Sequence, residues 1–495
     1  MHLQVKLITE FVLFCIFLGV ASNAIGAEAS LADAAEKHDP AAVRAALEQK
    51  ADVNAAQADG MTALHWAAYH DDSEAVKLLL ANGADVKAAN RYGVTPLSIA
   101  CTNGSATIVE MLLEAGADPK TTLPGGETAL MTASRTGKLG AVKALLSRAA
   151  DVNATERKGQ TALMWAAAEG HVEVVDALVA AGADVRARLR SGFTPFFFAV
   201  REGRTAVVHR LLLLKAGADV NEVMRPRRST GPARGKPITP LLLAVESGHF
   251  ELAVELLEAG ADPNARPAGY TALHAITWVR KPIRGDGDPP PIGSGKLSSL
   301  NFVKELVARG ADIDARLEKG ESGRGRFTTT GSTPFLMAAR ASDVPLMKVL
   351  LEVGANPKIP NADNCTPLLA AAGVGALGDG DESAGTDEEA FAAVKLLLEI
   401  GADINAVDDN GETVMHGAAY QSRFNLVPLL AEHRADIKVW NRKNKAGWTP
   451  QTIAYGNRPG NFRPSPDTIA AVEKFMRAQG VTPPKFIREP DRRGW

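Results

Sequence analysis

The groups able to do chemistry in this 495-residue chain are few, and their spacing limits what each could do. The stretch TALHWAAYHD (62–71) sets His65, Trp66 and His70 within six positions, which raises the question of a site. Zinc ligation on a helix needs two histidines four apart, and no pair in the chain has that spacing. There is no CxxC, HExxH, GxSxG or GxxxxGK[ST] pattern. GSGK (293–296) has the end of a phosphate-binding loop, but without its first glycine at the required spacing or a preceding strand. RGD (284–286) matches an adhesion tripeptide, which three residues match often by chance. GDGDESAG (378–385) offers Asp379, Asp381 and Ser383 at calcium-loop spacing. Its sixth and twelfth positions are Ala384 and Ala390, where a calcium loop needs glycine and glutamate. These patterns imply no catalytic residue, no cofactor and no metal.

Composition excludes further classes. Apolar residues make up 46% of the chain, so it folds rather than staying disordered. Net charge is −2, which gives no global basic field for nucleic acid. Three cysteines are too few for a disulfide framework, and Cys101 and Cys365 are expected as separate buried thiols. Residues 1–27 combine a basic start, an apolar run from Phe11 to Ala21 too short to span a bilayer, and small residues up to Ala27. They predict a secretory signal peptide cleaved near Ala24 or Ala27, with a periplasmic or extracellular product and no other membrane association.

Stepping outward from TALHWAAYHD, the same phrase returns as TPLSIACTNG, TALMTASRTG, TALMWAAAEG and TPFFFAVREG, while its histidines do not. The initial threonines are Thr62, Thr95, Thr128, Thr161, Thr194, Thr239, Thr271, Thr333, Thr366, Thr413 and Thr449, and the first four intervals are all 33 residues. Each phrase precedes an apolar helical segment and a turn such as GADV at 83 or GADI at 401. Threonine caps the free N–H groups of the first helix, and proline at the next position already has helical φ. Leu64, Ala67 and Ala68 form a narrow apolar face, Leu78, Leu79 and Leu80 are expected to fill the space between layers, and Gly83 ends the second helix.

Period, phrase and turn together resemble the ankyrin repeat, whose period is 33 and whose signature is T-P-L-H-x-A. The resemblance implies an all-α solenoid of about twelve helix-turn-helix units with β-turn fingers, as in a secreted or periplasmic bacterial protein. It spans residues 28–480, with an N-terminal cap at 28–57 and repeats starting near 58, 91, 124, 157, 190, 235, 267, 329, 362, 409 and 445. Residues 481–495 form a tail. In the cap, Ser30 and Asp33 predict a capping box. The resemblance also gives His65, His274 and His416 a structural role, hydrogen-bonding neighbouring fingers, and places Trp66 and Trp165 in the core.

Four insertions break the period. Residues 222–238 (net +4) and 316–332 (net +2) enlarge fingers, whereas 279–299 and 373–390 separate the helices within a repeat. Ankyrin arrays bind through their concave face and fingers, so the resemblance implies a protein partner. The variable slots there hold Tyr69, Arg91, Tyr92, Arg135, Arg157, Lys158, Arg190, Phe193 and Arg201 in the first half. Trp278, Arg340, Tyr420 and Trp448 follow in the second, and the enlarged fingers add Arg225, Arg227, Arg228, Arg324 and Arg326. Arginine and aromatic residues are enriched at binding hot spots. The expectation is a monomeric, non-catalytic scaffold for another protein bearing an acidic patch. Two other classes stay open: a secreted effector or adhesion protein acting on another cell, and an enzyme with a site in 279–332.

Overall fold

The computed structural model describes residues 30–213, 217–225, 236–281, 291–318, 327–375, 385–457 and 463–485. Within them lie twenty-five helices and no strand beyond isolated bridges. The chain divides into two compact units, residues 1–157 and 158–495.

The first unit starts with helices Leu31–Glu36 and Pro40–Glu48. The Ser30–Asp33 capping box is present, with reciprocal bonds of 3.1 Å. Three repeats follow, with helix pairs Ala63–Tyr69 and Ser73–Ala81, Pro96–Asn103 and Ala106–Glu114, and Ala129–Arg135 and Leu139–Ser147. The second unit continues the plan from Ala162–Glu169 to Pro450–Ala454. It closes with Pro466–Ala478, whose Phe475 stacks on the buried Trp440 at 5.4 Å. Within each unit, first helices pack on first helices and second on second.

All eleven phrase threonines are N-caps of first helices, with extended backbone ahead of the helical turn. The first helices bury nearly every residue, because alanine and leucine let neighbours approach closely. The second helices bury only a stripe. Leu79 is fully buried, but Leu78 and Leu80 are half-buried, which corrects the expectation that all three fill the interlayer space. Consecutive helical residues diverge by about 100°, so three in a row cannot share one face.

Several of the turns after second helices are left-handed. Gly83 has φ +86°, and its N–H donates to the Leu80 carbonyl at 3.0 Å. Lys50, Ala149 and Arg434 take the same slot in other repeats with φ of 59°, 60° and 61°. Behind this turn, asparagines join successive repeats. Asn54 donates to the Gly83 carbonyl (3.3 Å) and accepts from the Asp85 N–H (2.7 Å). In the second unit Asn221 and Asn264 do the same for Gly260 with Asp262 and for Gly310 with Asp312.

The insertions are anchored where they are described. Finger 222–238 is closed by an antiparallel bridge, the Met224 and Ile238 N–H groups each donating to the other's carbonyl at 2.9 and 3.1 Å. Finger 316–332 is closed by Leu317 N–H donating to Ser332 at 3.0 Å. In 279–299, Arg280 forms a two-pronged pair with the buried Asp343 at 2.7 and 3.0 Å. Lys281 reaches Glu389 of the 373–390 insertion at 2.6 Å. Among the described residues no helix is long and apolar enough to cross a membrane.

Candidate functional site

The chemistry-bearing residues are mostly occupied in holding the fold. Thr62 N–H donates to His65 Nδ1 at 3.1 Å, which fixes the proton on Nε2, and Nε2 donates to the Val94 carbonyl of the next finger at 3.0 Å. His274 and His416 repeat this, donating to Ser332 (3.1 Å) and Trp448 (3.3 Å). Burial holds both imidazoles down at about 4, and shifts His65 in the same direction. They stay neutral, as this bonding requires. Cys101 and Cys365 are buried and unpaired, and burial pushes the Cys101 thiol up to about 12, so neither is a nucleophile.

GSGK does hold an anion, but an internal one. The Lys296 and Leu297 N–H groups donate to Glu251 Oε1 at 2.6 and 3.1 Å. Ser294 N–H donates to His249 Nδ1 at 2.9 Å, and His249 Nε2 bonds the Arg201 carbonyl at 2.9 Å. The stretch lies across an inter-helix turn as a strap. The RGD tripeptide and all of GDGDESAG except Gly385 lie outside the described residues. Among the described residues no histidine, cysteine and carboxylate grouping could hold a metal.

On the face made by fingers and first helices, the first unit places Tyr69 half-buried, edge-on to Trp66 at 5.6 Å. Trp66 is core, as expected, and its indole donates to Gln57 at 2.7 Å. Arg91 and Arg157 are exposed, and the Arg91 guanidinium lies 4.8 Å from the centroid of Tyr92, itself exposed. Arg135 is paired with Glu127 at 3.3 Å.

In the second unit Lys158, Arg190 and Arg225 are exposed. Arg201 pairs with Glu202 (2.9 Å) and lies 5.0 Å from the rings of both Phe193 and Phe198. Arg340 lies 4.2 Å from the ring of Phe327. Two expected placements are corrected. Trp165 is half-buried rather than core. Tyr420 is 3% exposed, and its hydroxyl donates to the buried Glu412 at 3.0 Å, so it belongs to a polar core network, with Trp448 packed against it. Arg227, Arg228, Arg324 and Arg326 lie outside the described residues.

In the second unit a groove of about 710 Å³ lies beside Met224 and Ile238 of the enlarged finger. Phe193, Met224, Ile238, Leu243, Tyr270, Trp278, Val279 and Pro291 line it, with Glu246 and Lys236 as the charged residues among the described ones. Tyr270 and Trp278 meet edge-on at 4.9 Å and form an aromatic corner. The Tyr270 hydroxyl donates to Glu246 Oε1 at 2.6 Å. Burial raises the Glu246 carboxyl, while that bond and nearby Lys236 pull it back. Sequence reading found Phe193 and Trp278 from their slots but not Glu246, which holds the same slot as Trp278 one repeat earlier. An acidic residue there gave no aromatic or basic signal.

A stack of threonine-capped helix pairs joined by turn fingers, with histidines tying one finger to the next, defines a repeat module for binding macromolecules. Profiles described as ankyrin repeats match residues 31–123, 130–224 and 384–462, and a single ankyrin repeat matches 238–267. These matches cover more than half of the chain, which belongs to the ankyrin repeat family. It is 32% identical over 276 residues to ankyrin repeat and SOCS box protein 16 of Homo sapiens, covering 50% of this chain and 54% of that protein. It is 28% identical over 259 residues to the E3 ubiquitin-protein ligase KEG of Arabidopsis thaliana, covering 48% of this chain and 14% of that protein. It is 33% identical over 177 residues to neurogenic locus notch homolog protein 1 of Xenopus tropicalis, covering 32% of this chain and 6% of that protein. The chain thus spans about half or less of the relatives it matches, and what it shares with them is the interaction scaffold.

Proposed function

We propose that this chain is a non-catalytic docking platform for another protein, bound on the fingers and first helices. The observation that carries this reading is the groove beside Met224 and Ile238, which the half-buried Phe193 and Trp278, the buried Tyr270 and the Glu246 carboxylate line. The family's interaction modules support it, and so does the use of three phrase histidines as finger ties rather than as acids or bases. Exposed Arg91 and Arg157 in the first unit, and Lys158, Arg190 and Arg225 in the second, would steer an acidic partner by long-range attraction. Arg135 and Arg201 are already neutralised by Glu127 and Glu202, and their part is to hold the surface in shape.

The test is capture of partners from the native source with the chain from residue 28 as bait, beside two charge-reversed baits. One carries Arg91→Glu and Arg157→Glu, the other Lys158→Glu, Arg190→Glu and Arg225→Glu. A protein captured by the parent and lost by either variant supports docking on that unit's face. Equal capture by all three removes the face from the reading. We further propose export through residues 1–27. Terminal sequencing of the exported protein should begin after Ala24 or Ala27, and a chain starting at Met1 would overturn export by cleavage. Fractionation then separates a periplasmic scaffold from a secreted effector.

A further inference from the structure

We propose that the groove beside finger 222–238 receives an arginine side chain of the partner polypeptide, stacked in the Tyr270–Trp278 corner with its guanidinium on Glu246. The inference rests on the docking reading above and names the chemistry of its anchor.

The protein's own surface sets the precedent. Guanidinium groups already lie over aromatic rings: Arg91 on the exposed Tyr92, Arg201 on the half-buried Phe193 and the buried Phe198, and Arg340 on the buried Phe327. The Tyr270–Trp278 corner has no such cap among the described residues, only the exposed Lys236 ammonium 5.8 Å from the Tyr270 ring. Glu246 stands beside that corner. One of its oxygens takes the Tyr270 hydroxyl, and the other takes no hydrogen bond from a described residue. A carboxylate with an idle oxygen at an aromatic corner is a receptor for a cation. Leu243 and Val279 offer apolar surface for the methylene stem behind such a head. Of the two basic side chains, arginine fits better. Its planar, weakly hydrated guanidinium stacks on an indole while its N–H groups donate in plane to the carboxylate, whereas an ammonium must give up a tight water shell. Lys236 then acts as an intramolecular competitor at the mouth.

The experiment uses the full chain labelled with 5-fluorotryptophan. The Trp278 resonance is assigned among the six tryptophans by Trp278→Phe. N-acetyl-arginine amide is titrated beside N-acetyl-norleucine amide, which has a similar stem and no charge, and beside free L-arginine. The proposal expects a saturable shift of the Trp278 resonance with the arginine amide and none with the norleucine amide. Glu246→Gln should weaken binding about tenfold or more, and Lys236→Met should tighten it about threefold, since one removes the counter-charge and the other the competitor. Circular dichroism of the Gln variant shows whether it folds, and the exposed Lys236→Met remains informative if it does not. Equal response to norleucine amide, or no shift up to about 0.1 M, where a Kd of tens of millimolar would register, overturns the proposal. So does weaker binding in Lys236→Met, which would mean that the lysine supports the bound group rather than competing with it. Tighter binding of free L-arginine than of the capped amide would make it a small-molecule site instead. Partner capture without an arginine response sinks this inference alone. An arginine response with equal capture by all baits sinks the docking reading alone.

Discussion

The histidine of the repeated phrase links a local sequence choice to pH. His274 and His416 are fully buried, accept a threonine N–H at Nδ1 and donate a proton from Nε2, so a second proton would break the bond at Nδ1. Their folded values near 4 lie below the unfolded 6.5. The unfolded chain therefore binds protons first as pH falls. The stabilisation is complete above about pH 6.5 and is lost progressively toward pH 4. Between pH 6.5 and 5 each histidine should cost about 2 kcal/mol of stability. Urea midpoints should fall over that interval in the parent. They should fall less steeply in His274→Gln/His416→Gln, which starts lower at neutral pH. Glu246 and Asp408, raised by burial, pull stability the other way with pH, but they are common to both proteins and cancel in the comparison. An equal slope in parent and variant would remove the histidines as the cause. That role was legible from the phrase itself. The burial of Tyr420 was not, because its hydroxyl's partner Glu412 lies eight residues away on the preceding finger, and no periodicity marks the pair.

Among elements, the turn after the second helix was read as a glycine motif, and its geometry is more general than its sequence. Gly83 and Ala149 share the left-handed conformation, φ +86° and +60°, and no atom lies within 4 Å of a Cβ built on Gly83. Backbone preference, not crowding, therefore selects glycine there. A side chain costs about 1–2 kcal/mol in this region, partly offset by the entropy glycine loses on folding. Ala149→Gly should stabilise the first unit by about 0.5–1 kcal/mol, and Gly83→Ala should destabilise it by a similar amount. Urea midpoints moving in the same direction for both would refute this. The insertions were harder to read, since residues 279–299 carry no period that shows which part folds back. Their energetic anchor is Arg280. Its partner Asp343 is 1% exposed on its side chain and also caps the helix starting at Val344. Arg280→Met leaves that carboxylate buried and unpaired, at a cost of about 3–5 kcal/mol. Lys281→Met breaks a more exposed pair with Glu389 and should cost about 1 kcal/mol or less. Thermal unfolding of the two variants distinguishes them, and equal losses would mean that burial does not set the strength of these pairs.

For the molecule as a whole, the repeat order was legible because one phrase recurs at 33 residues, whereas the groove was not, because its walls come from separate parts of the sequence: Phe193, Met224 with Ile238, helix residues Leu243 and Glu246, Tyr270 with Trp278 and Val279, and Pro291. A repeat array brings such residues together only after neighbouring units stack. The distribution of charge then separates two tasks. The net charge of −2 gives no overall attraction, so any steering comes from local exposed groups such as Lys158 and Arg190. These act over about a Debye length and speed encounter, while a desolvated anchor in the groove slows departure. With the captured partner immobilised, Lys158→Glu/Arg190→Glu should lower the association rate about tenfold at low salt and lose that effect near 0.5 M salt, with dissociation little changed. Trp278→Ala should leave association within about twofold and speed dissociation about tenfold or more, because it removes the stacking surface without changing the field. If the charge reversals instead act on dissociation and persist at high salt, those cations are buried in the interface and belong to its core rather than to its rim.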